Sequence, residues 1–269
     1  MPAVGWPKYI MEVISLPNKI ELKPGSEKNE GVLVVEPLHR GYGITLGNAL
    51  RRVLLSSLSG AAVTAVKIKG VQHEFSTVPH AKEDVLEILL NLKMLRLKLW
   101  SDEPVKLTLK VKGEREVTAE DIDKNADVEI ANPEMIIAHL TDKNATLEME
   151  IVVEKGLGYV TTEEKKRENA EIGSIAVDAV FGPVKNVSFK VEDTRVGQDI
   201  NYDKLILNIE TDGTITPAEA VRDSAKHLID HFGLFLGLAG AEAPKKKEAK
   251  DEEEAEKAPK KKRGRAKKS

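Results

Sequence analysis

Cysteine is absent from all 269 residues, and aromatic side chains make up only 4% of them. The first absence excludes disulfides, thiolate metal ligands and a cysteine nucleophile, and it suits a reducing compartment. The second leaves the core to be filled by Leu, Ile and Val. No apolar run reaches the roughly 18 residues a membrane helix needs. The most apolar stretches are broken by Arg51-Arg52 or stop at Leu238. The N-terminus has no basic segment leading into an apolar one, so no export signal is expected. A body of about 240 residues buries roughly 70–75% of its unfolded surface and needs no covalent staple.

What is present is unevenly distributed. The net charge is −3, yet residues 241–269 hold 12 basic and 7 acidic side chains, a net of +5. The remaining 29 basic and 37 acidic residues leave positions 1–240 at −8. An acidic body is therefore joined to a basic, low-complexity tail that cannot bury a core.

Along the body, the first 18 residues show no period and read as an arm carrying Pro2, Pro7 and Pro17. Strand signals at 19–22 and 31–36 flank the turn Lys23-Pro24-Gly25-Ser26. Gly41-Tyr42-Gly43 leads into a helix that Thr45 is placed to cap. Its apolar Leu46, Leu50, Val53 and Leu54 recur at helical spacing, and Gly60 follows as a C′ glycine. A strand at 62–69 precedes a second helix over 82–99, with Val85, Ile88, Leu89, Leu92 and Leu95 as its stripe. Alternation predicts strands at 105–111 and 145–153, closed by a bend at Lys155-Gly156-Leu157-Gly158-Tyr159. A charged loop at 161–171 is followed by strands at 184–191 and 204–209, joined through Gly197. The last helix opens on Thr216, Pro217 and Glu219, the spacing of a capping box. Its stripe of Val221, Ala225, Leu228, Ile229, Phe232, Phe235 and Leu236 stays apolar up to the tail, as either a protein contact or a covered core face. The fold class is α+β.

No catalytic constellation emerges. Gly41-Tyr42-Gly43 followed by Gly47 has the wrong offset for a dinucleotide fingerprint, and no Lys-Ser/Thr follows for a P-loop, so a tight strand-to-helix turn accounts for it. His227 and His231 stand four apart on the last helix without a visible third metal ligand. Arg51 and Arg52 point about 100° apart on a helix beside Asn48, suited either to grip a partner's carboxylates or to remain solvated.

The segment Glu36-Pro37-Leu38-His39-Arg40-Gly41-Tyr42-Gly43-Ile44-Thr45-Leu46-Gly47-Asn48-Ala49-Leu50-Arg51-Arg52-Val53-Leu54-Leu55-Ser56-Ser57 closely resembles the signature of the bacterial-type RNA polymerase α-subunit family. The likeness continues through Gly70-Val71-Gln72-His73-Glu74-Phe75-Ser76-Thr77 and Asp84-Val85-Leu86-Glu87-Ile88-Leu89-Leu90-Asn91-Leu92-Lys93. It extends through His139-Leu140-Thr141-Asp142, Gly156-Leu157-Gly158-Tyr159-Val160 and Tyr202-Asp203-Lys204-Leu205, ending at Thr211-Asp212-Gly213-Thr214-Ile215-Thr216-Pro217. These blocks are ordered and spread over most of residues 8–238.

The resemblance implies a two-part architecture. A dimerisation part is drawn from 8–59 and 180–240, an α+β insert occupies 60–179, and 241–269 is a disordered Lys/Glu-rich tail. It implies a homodimer that recruits the β and then the β′ subunit, which together form the nucleotidyl-transfer site. The chain would be a noncatalytic subunit without a cofactor or metal of its own, the Mg ions belonging to β′. It would be cytoplasmic and nucleoid-associated, and would meet DNA as part of the complex. By position, Asn48, Arg51 and Arg52 would face β, with Arg52 the contact on which assembly depends. Tyr42, Leu46, Leu50, Val53, Phe232, Phe235 and Leu236 would pack at the dimer interface. Three positions depart from the pattern: Ile44, where many members carry histidine, and Ile200 and Asn201, in place of Thr-Asp.

The family normally continues into a helical C-terminal domain that binds upstream promoter DNA. Here no apolar pattern follows Leu238, so that domain is expected to be absent. In its place stands Pro259-Lys260-Lys261-Lys262-Arg263-Gly264-Arg265-Ala266-Lys267-Lys268. Its Arg-Gly-Arg core is like that of minor-groove AT-hook segments, which makes Lys260, Lys261, Lys262, Arg263, Arg265, Lys267 and Lys268 candidate DNA contacts against the alternative of a solubilising tail. A free-standing DNA-binding protein working through this tail is the rival reading. It leaves unexplained why a −8 body carries two apolar helices.

Overall fold

Chain order begins with β1 (Lys19–Pro24) and β2 (Glu30–Leu38), then α1 (Tyr42–Ser56) and β3 (Ser59–Ile68). Next come α2 (Val85–Lys93), β4 (Leu97–Leu99), β5 (Val105–Lys112), β6 (Arg115–Thr118), β7 (Val128–Ile130) and β8 (Ile136–Leu140). The chain continues through β9 (Thr146–Leu157), β10 (Tyr159–Val160), β11 (Ile175–Ala176) and β12 (Ala179–Val180). It closes with β13 (Val184–Val196), β14 (Asp199–Thr211) and α3 (Pro217–Leu236). This computed structural model describes residues 14, 16–164, 173–197 and 199–236. The architecture is α+β.

Among the described residues, β1-β2-β14-β13 form an antiparallel sheet drawn from both ends of the sequence. Its apolar face, with Leu33, Val35, Val187, Leu205, Leu207 and Ile209, closes under α1 together with Leu54, Leu58 and Ala220. A second sheet, ordered β5-β9-β3-β4-β7 with β11 also on β3, comes from the middle of the chain. Alternation along β5 and β9 buries Leu107, Leu109, Val111, Leu147, Met149, Ile151 and Val153 in a separate core that α2 joins through Val85, Ile88, Leu89 and Leu92. The opposite face of that sheet is charged. Lys69 and Lys110 reach Glu148 at 2.8 and 3.3 Å, exposed pairs that settle register more than they stabilise. The chain divides into one unit up to His227 and another from Leu228.

Three local expectations are corrected. First, α1 begins at Tyr42 rather than behind a Thr45 cap. Gly41 adopts φ 85° to turn the chain, and the Thr45 hydroxyl donates back to the Gly41 carbonyl at 3.1 Å. Second, Gly60 is not the C′ residue of that helix but part of β3. Third, α2 spans Val85–Lys93 instead of 82–99. Asp84 caps it, accepting the Glu87 N–H at 2.7 Å. Leu95 and Leu99 continue the helical stripe from Leu92, whereas Leu97 would fall on the far side of a helix and fits only a period-2 strand. Pairing of β4 with β3 and β7 decides for the strand.

Two stability results are expected from this packing. Ser224 on α3 is fully buried, and its hydroxyl has no hydrogen-bond partner among the described residues. An unsatisfied buried hydroxyl costs about 1–3 kcal/mol, and alanine is the better helix former. Ser224→Ala should therefore raise the thermal midpoint by about 2–4 °C, read by calorimetry.

Glu83 is the second case. Burial alone would push its carboxyl pKa up, but the backbone N–H of His139 at 2.7 Å and the His139 ring hold it below the usual carboxylate range. A lowered folded-state pKa gives stability that is present above the unfolded value and lost as pH falls through the folded one. Glu83→Gln should be destabilised at pH 7 and lose less further stability between about pH 5 and 3 than the parent. Urea midpoints across that range measure both effects.

Candidate assembly surface

The seat of α1 is made by what two residues lack. Gly43 and Gly47 are buried against β13 and β14. A Cβ at Gly43 would lie 2.8 Å from Val191 Cγ1, and one at Gly47 would lie 2.7 Å from Phe189 Cδ2 and 2.9 Å from Leu205 Cδ1. Leu50 and Leu54 continue the seated face. The N-terminus of the helix is capped from a distance of 160 residues in sequence. Asp203 Oδ2, on β14, accepts the N–H groups of Gly41 at 2.9 Å and Gly43 at 3.0 Å. A carboxylate here satisfies two orphan donors and meets the positive end of the helix dipole. Asp203 belongs to one of the quoted sequence blocks, but this role was not legible, because no local spacing links it to Gly41.

The far side of α1 is apolar and cationic. Ile44 is 61% exposed, and Tyr42, Leu46 and Leu55 are also exposed. Val53 is half-buried, like Leu50. Tyr42 stacks edge-on against His39 with 6.1 Å between ring centroids.

The two arginines differ. Arg51 is held: it donates to Asn48 Oδ1 at 3.2 Å, and its guanidinium lies 5.5 Å from the Phe189 ring centroid. Arg52 is exposed, and its side chain has no ion pair or hydrogen bond among the described residues. Its carbonyl accepts the Ser56 hydroxyl at 2.8 Å.

On α3 the capping box forms as the spacing predicts. Thr216 N–H donates to Glu219 Oε2 at 2.9 Å, and Glu219 N–H returns to the Thr216 hydroxyl at 3.3 Å. These bonds hold the Glu219 carboxyl below its ordinary pKa, the Thr216 backbone N–H contributing most. From Leu228 onward the helix leaves Ile229, Phe232, Leu234 and Phe235 exposed, with the two phenylalanine rings 6.5 Å apart. Leu236 closes the helix, and its side chain lies outside the described residues. So do Lys260, Lys261, Lys262, Arg263, Arg265, Lys267 and Lys268. His227 and His231 lie on α3, and no group of three His, Cys, Asp or Glu side chains among the described residues could hold a metal.

One surface escaped the sequence reading. Leu86, Leu90 and Met94, four apart along one side of α2 and its C-cap, are exposed opposite the buried stripe. The signal was available, since α2 is apolar on two sides, but the buried stripe alone had accounted for the helix.

A helix fixed by glycines on one side and presenting apolar and guanidinium groups on the other has the form of a subunit contact surface. The model described as the RNA polymerase Rpb3/RpoA insert domain matches residues 66–182. The DNA-directed RNA polymerase subunit alpha of Moorella thermoacetica is 56% identical over 220 residues, covering 82% of this chain and 70% of that one. Those of Symbiobacterium thermophilum and Desulforamulus reducens are each 55% identical over 221 residues, with the same coverage. This chain belongs to the DNA-directed RNA polymerase α-subunit family. No helix among its described residues is long and apolar enough to cross a membrane.

Proposed function

We propose that two copies of this chain pair through α1 and α3 and that the pair gathers the β and β′ subunits of a DNA-directed RNA polymerase. Nucleotidyl transfer and its Mg ions belong to those partners, and this chain acts as a noncatalytic scaffold. The observation that carries the reading is the outer side of α1, apolar and cationic on a helix whose inner side is fixed by Gly43, Gly47 and Asp203. Exposed apolar side chains grouped on one helix need a cover, and a second copy supplies one from the same residues.

In this reading Tyr42, Leu46, Leu50, Val53, Phe232, Phe235 and Leu236 pack between copies, Leu50 sharing its surface with its own core. Asn48, Arg51 and Arg52 face β. The two separate cores support a dimerisation part from 8–59 and 180–240 with an insert at 60–179. Native mass spectrometry of the complex purified with this chain should give two copies together with two large subunits. A monomer, or a chain recovered with DNA alone, overturns the proposal.

The tail carries a narrower proposal. Residues 260–268 hold seven basic side chains and no acidic one. We infer that they bind upstream DNA weakly, through phosphates, from within the assembled enzyme. With about six phosphates engaged, the slope of log K against log salt is about −5. Removing residues 241–269 should flatten that slope for the holoenzyme. Equal affinity and slope with and without the tail end the idea.

A further inference from the structure

Gly60 on β3 and Gly156 on β9 stand directly opposite each other in register. Neither adopts a positive φ, so backbone freedom is not what either position needs. Both need space. A Cβ on Gly60 would fall 1.9 Å from the carbonyl oxygen of Phe181, and one on Gly156 would fall 2.6–2.7 Å from three carbons of the Phe181 ring. The glycine pair opens a notch in the sheet, filled by the Phe181 backbone at one glycine and by its ring at the other.

Phe181 is buried with Ala62 and Ala179, and Val160 packs on them, in a small cluster separate from both larger cores. The chain passes between those cores twice, from Leu58 to Val63 and from Val177 to Val184. Both passages meet at this notch. The N–H of Phe181 donates to the Gly158 carbonyl at 2.8 Å, on the insert side. Two residues on, the Pro183 carbonyl accepts the Asp212 N–H at 3.0 Å, on the side of the other core. A phenylalanine that merely filled space would need only apolar neighbours. Here two facing strands each give up a side chain to admit it.

We infer that Phe181, seated in the Gly60–Gly156 notch, is a lock that fixes the insert core against the core carrying α1. Close-packed junctions have discrete arrangements rather than continuous give, so one ring can hold the angle between two cores. The consequence is that the outer side of α1 is offered to the β subunit already oriented relative to the insert, which lowers the ordering cost of binding. That consequence rests on the assembly reading; the lock does not.

The cysteine-free chain permits a direct test. Spin labels on Thr45→Cys and Glu87→Cys, in full-length chain diluted with unlabelled copies, report the distance between α1 and α2 by double electron–electron resonance. The distribution should be narrow in the parent. Phe181→Ala should broaden it by at least about twofold with the thermal transition retained, and Phe181→Leu should fall between. If Phe181→Ala does not fold, Phe181→Leu and Gly156→Ala decide, the latter displacing the ring and shifting or widening the distribution. A parent-like distribution in the folded variants overturns the lock. Broadening with undiminished recovery of the two large subunits overturns its role in assembly and leaves the lock standing. A parent chain that recovers no large subunits sinks the assembly reading without touching the distance result.

Discussion

Gly47→Val should lower the thermal midpoint of this protein by about 5–10 °C, a loss of roughly 2–3 kcal/mol for a chain of this size. Intrinsic propensity argues the other way, since valine is favoured over glycine in a helix by a few tenths of a kcal/mol. Packing wins because the new Cβ would lie 2.7 Å from a Phe189 ring carbon and 2.9 Å from Leu205, both part of the core beneath α1. The valine methyls extend further into the same contact, so the helix must lift or the sheet must yield. Lifting also strains the Asp203 bonds to Gly41 and Gly43, at 2.9 and 3.0 Å. Gly47→Ala should fall between parent and valine, because a helix gain of about 1 kcal/mol partly offsets the single methyl. Calorimetry on the three proteins gives the order. A valine variant as stable as the parent means that α1 does not sit this close to the sheet.

Arg52→Ala should leave the chain folded and paired with itself, yet abolish most recovery of β and β′. The side chain is exposed and has no ion pair or hydrogen bond among the described residues, so its removal costs the isolated subunit little. Against a partner, truncating a desolvated guanidinium costs about 2–5 kcal/mol, which weakens binding by roughly 30-fold or more. Arg51→Ala, at a neighbouring residue of the same proposed β contact, is the comparison for the stability of the free chain. Its guanidinium already lies 5.5 Å from the Phe189 ring centroid and bonds Asn48, so its loss removes an internal contact worth about 0.5–1 kcal/mol. Reconstitution from purified subunits, with size-exclusion chromatography of the free chain, separates the two. Normal assembly of the Arg52→Ala chain would remove that residue from the proposed β contact.

Much of the fold could be read before any coordinate. The alternating stretch at 105–111 lies within β5, that at 145–153 falls in β9 from Thr146 onward, and the Thr216, Pro217 and Glu219 pattern opens α3. Over residues 112–144 the sequence shows no period that predicts an element. Their strands β6, β7 and β8 are three to five residues long, too short for a period to stand out. At the candidate surface, the sequence places Asn48, Arg51 and Arg52 together. Only the placement of Phe189 beneath Arg51 separated a held guanidinium from an available one. Gly60 follows an apolar helical stretch, where a glycine usually marks the helix end. Its real requirement came from Phe181, 121 positions later in the chain.

The residue pattern by itself determined which stretches alternate, where α3 starts, that the chain is cysteine-free with an oppositely charged tail, and which family its motifs resemble. Those properties are set by neighbours within a few residues, through side-chain period, turn geometry and capping hydrogen bonds. Tertiary structure alone decided that Asp203 caps α1, that β4 ends the second helix early, and that Gly60 and Gly156 make room for Phe181. Each depends on groups that only pairing register and core packing bring within 3 or 4 Å of one another, and no local spacing encodes that distance.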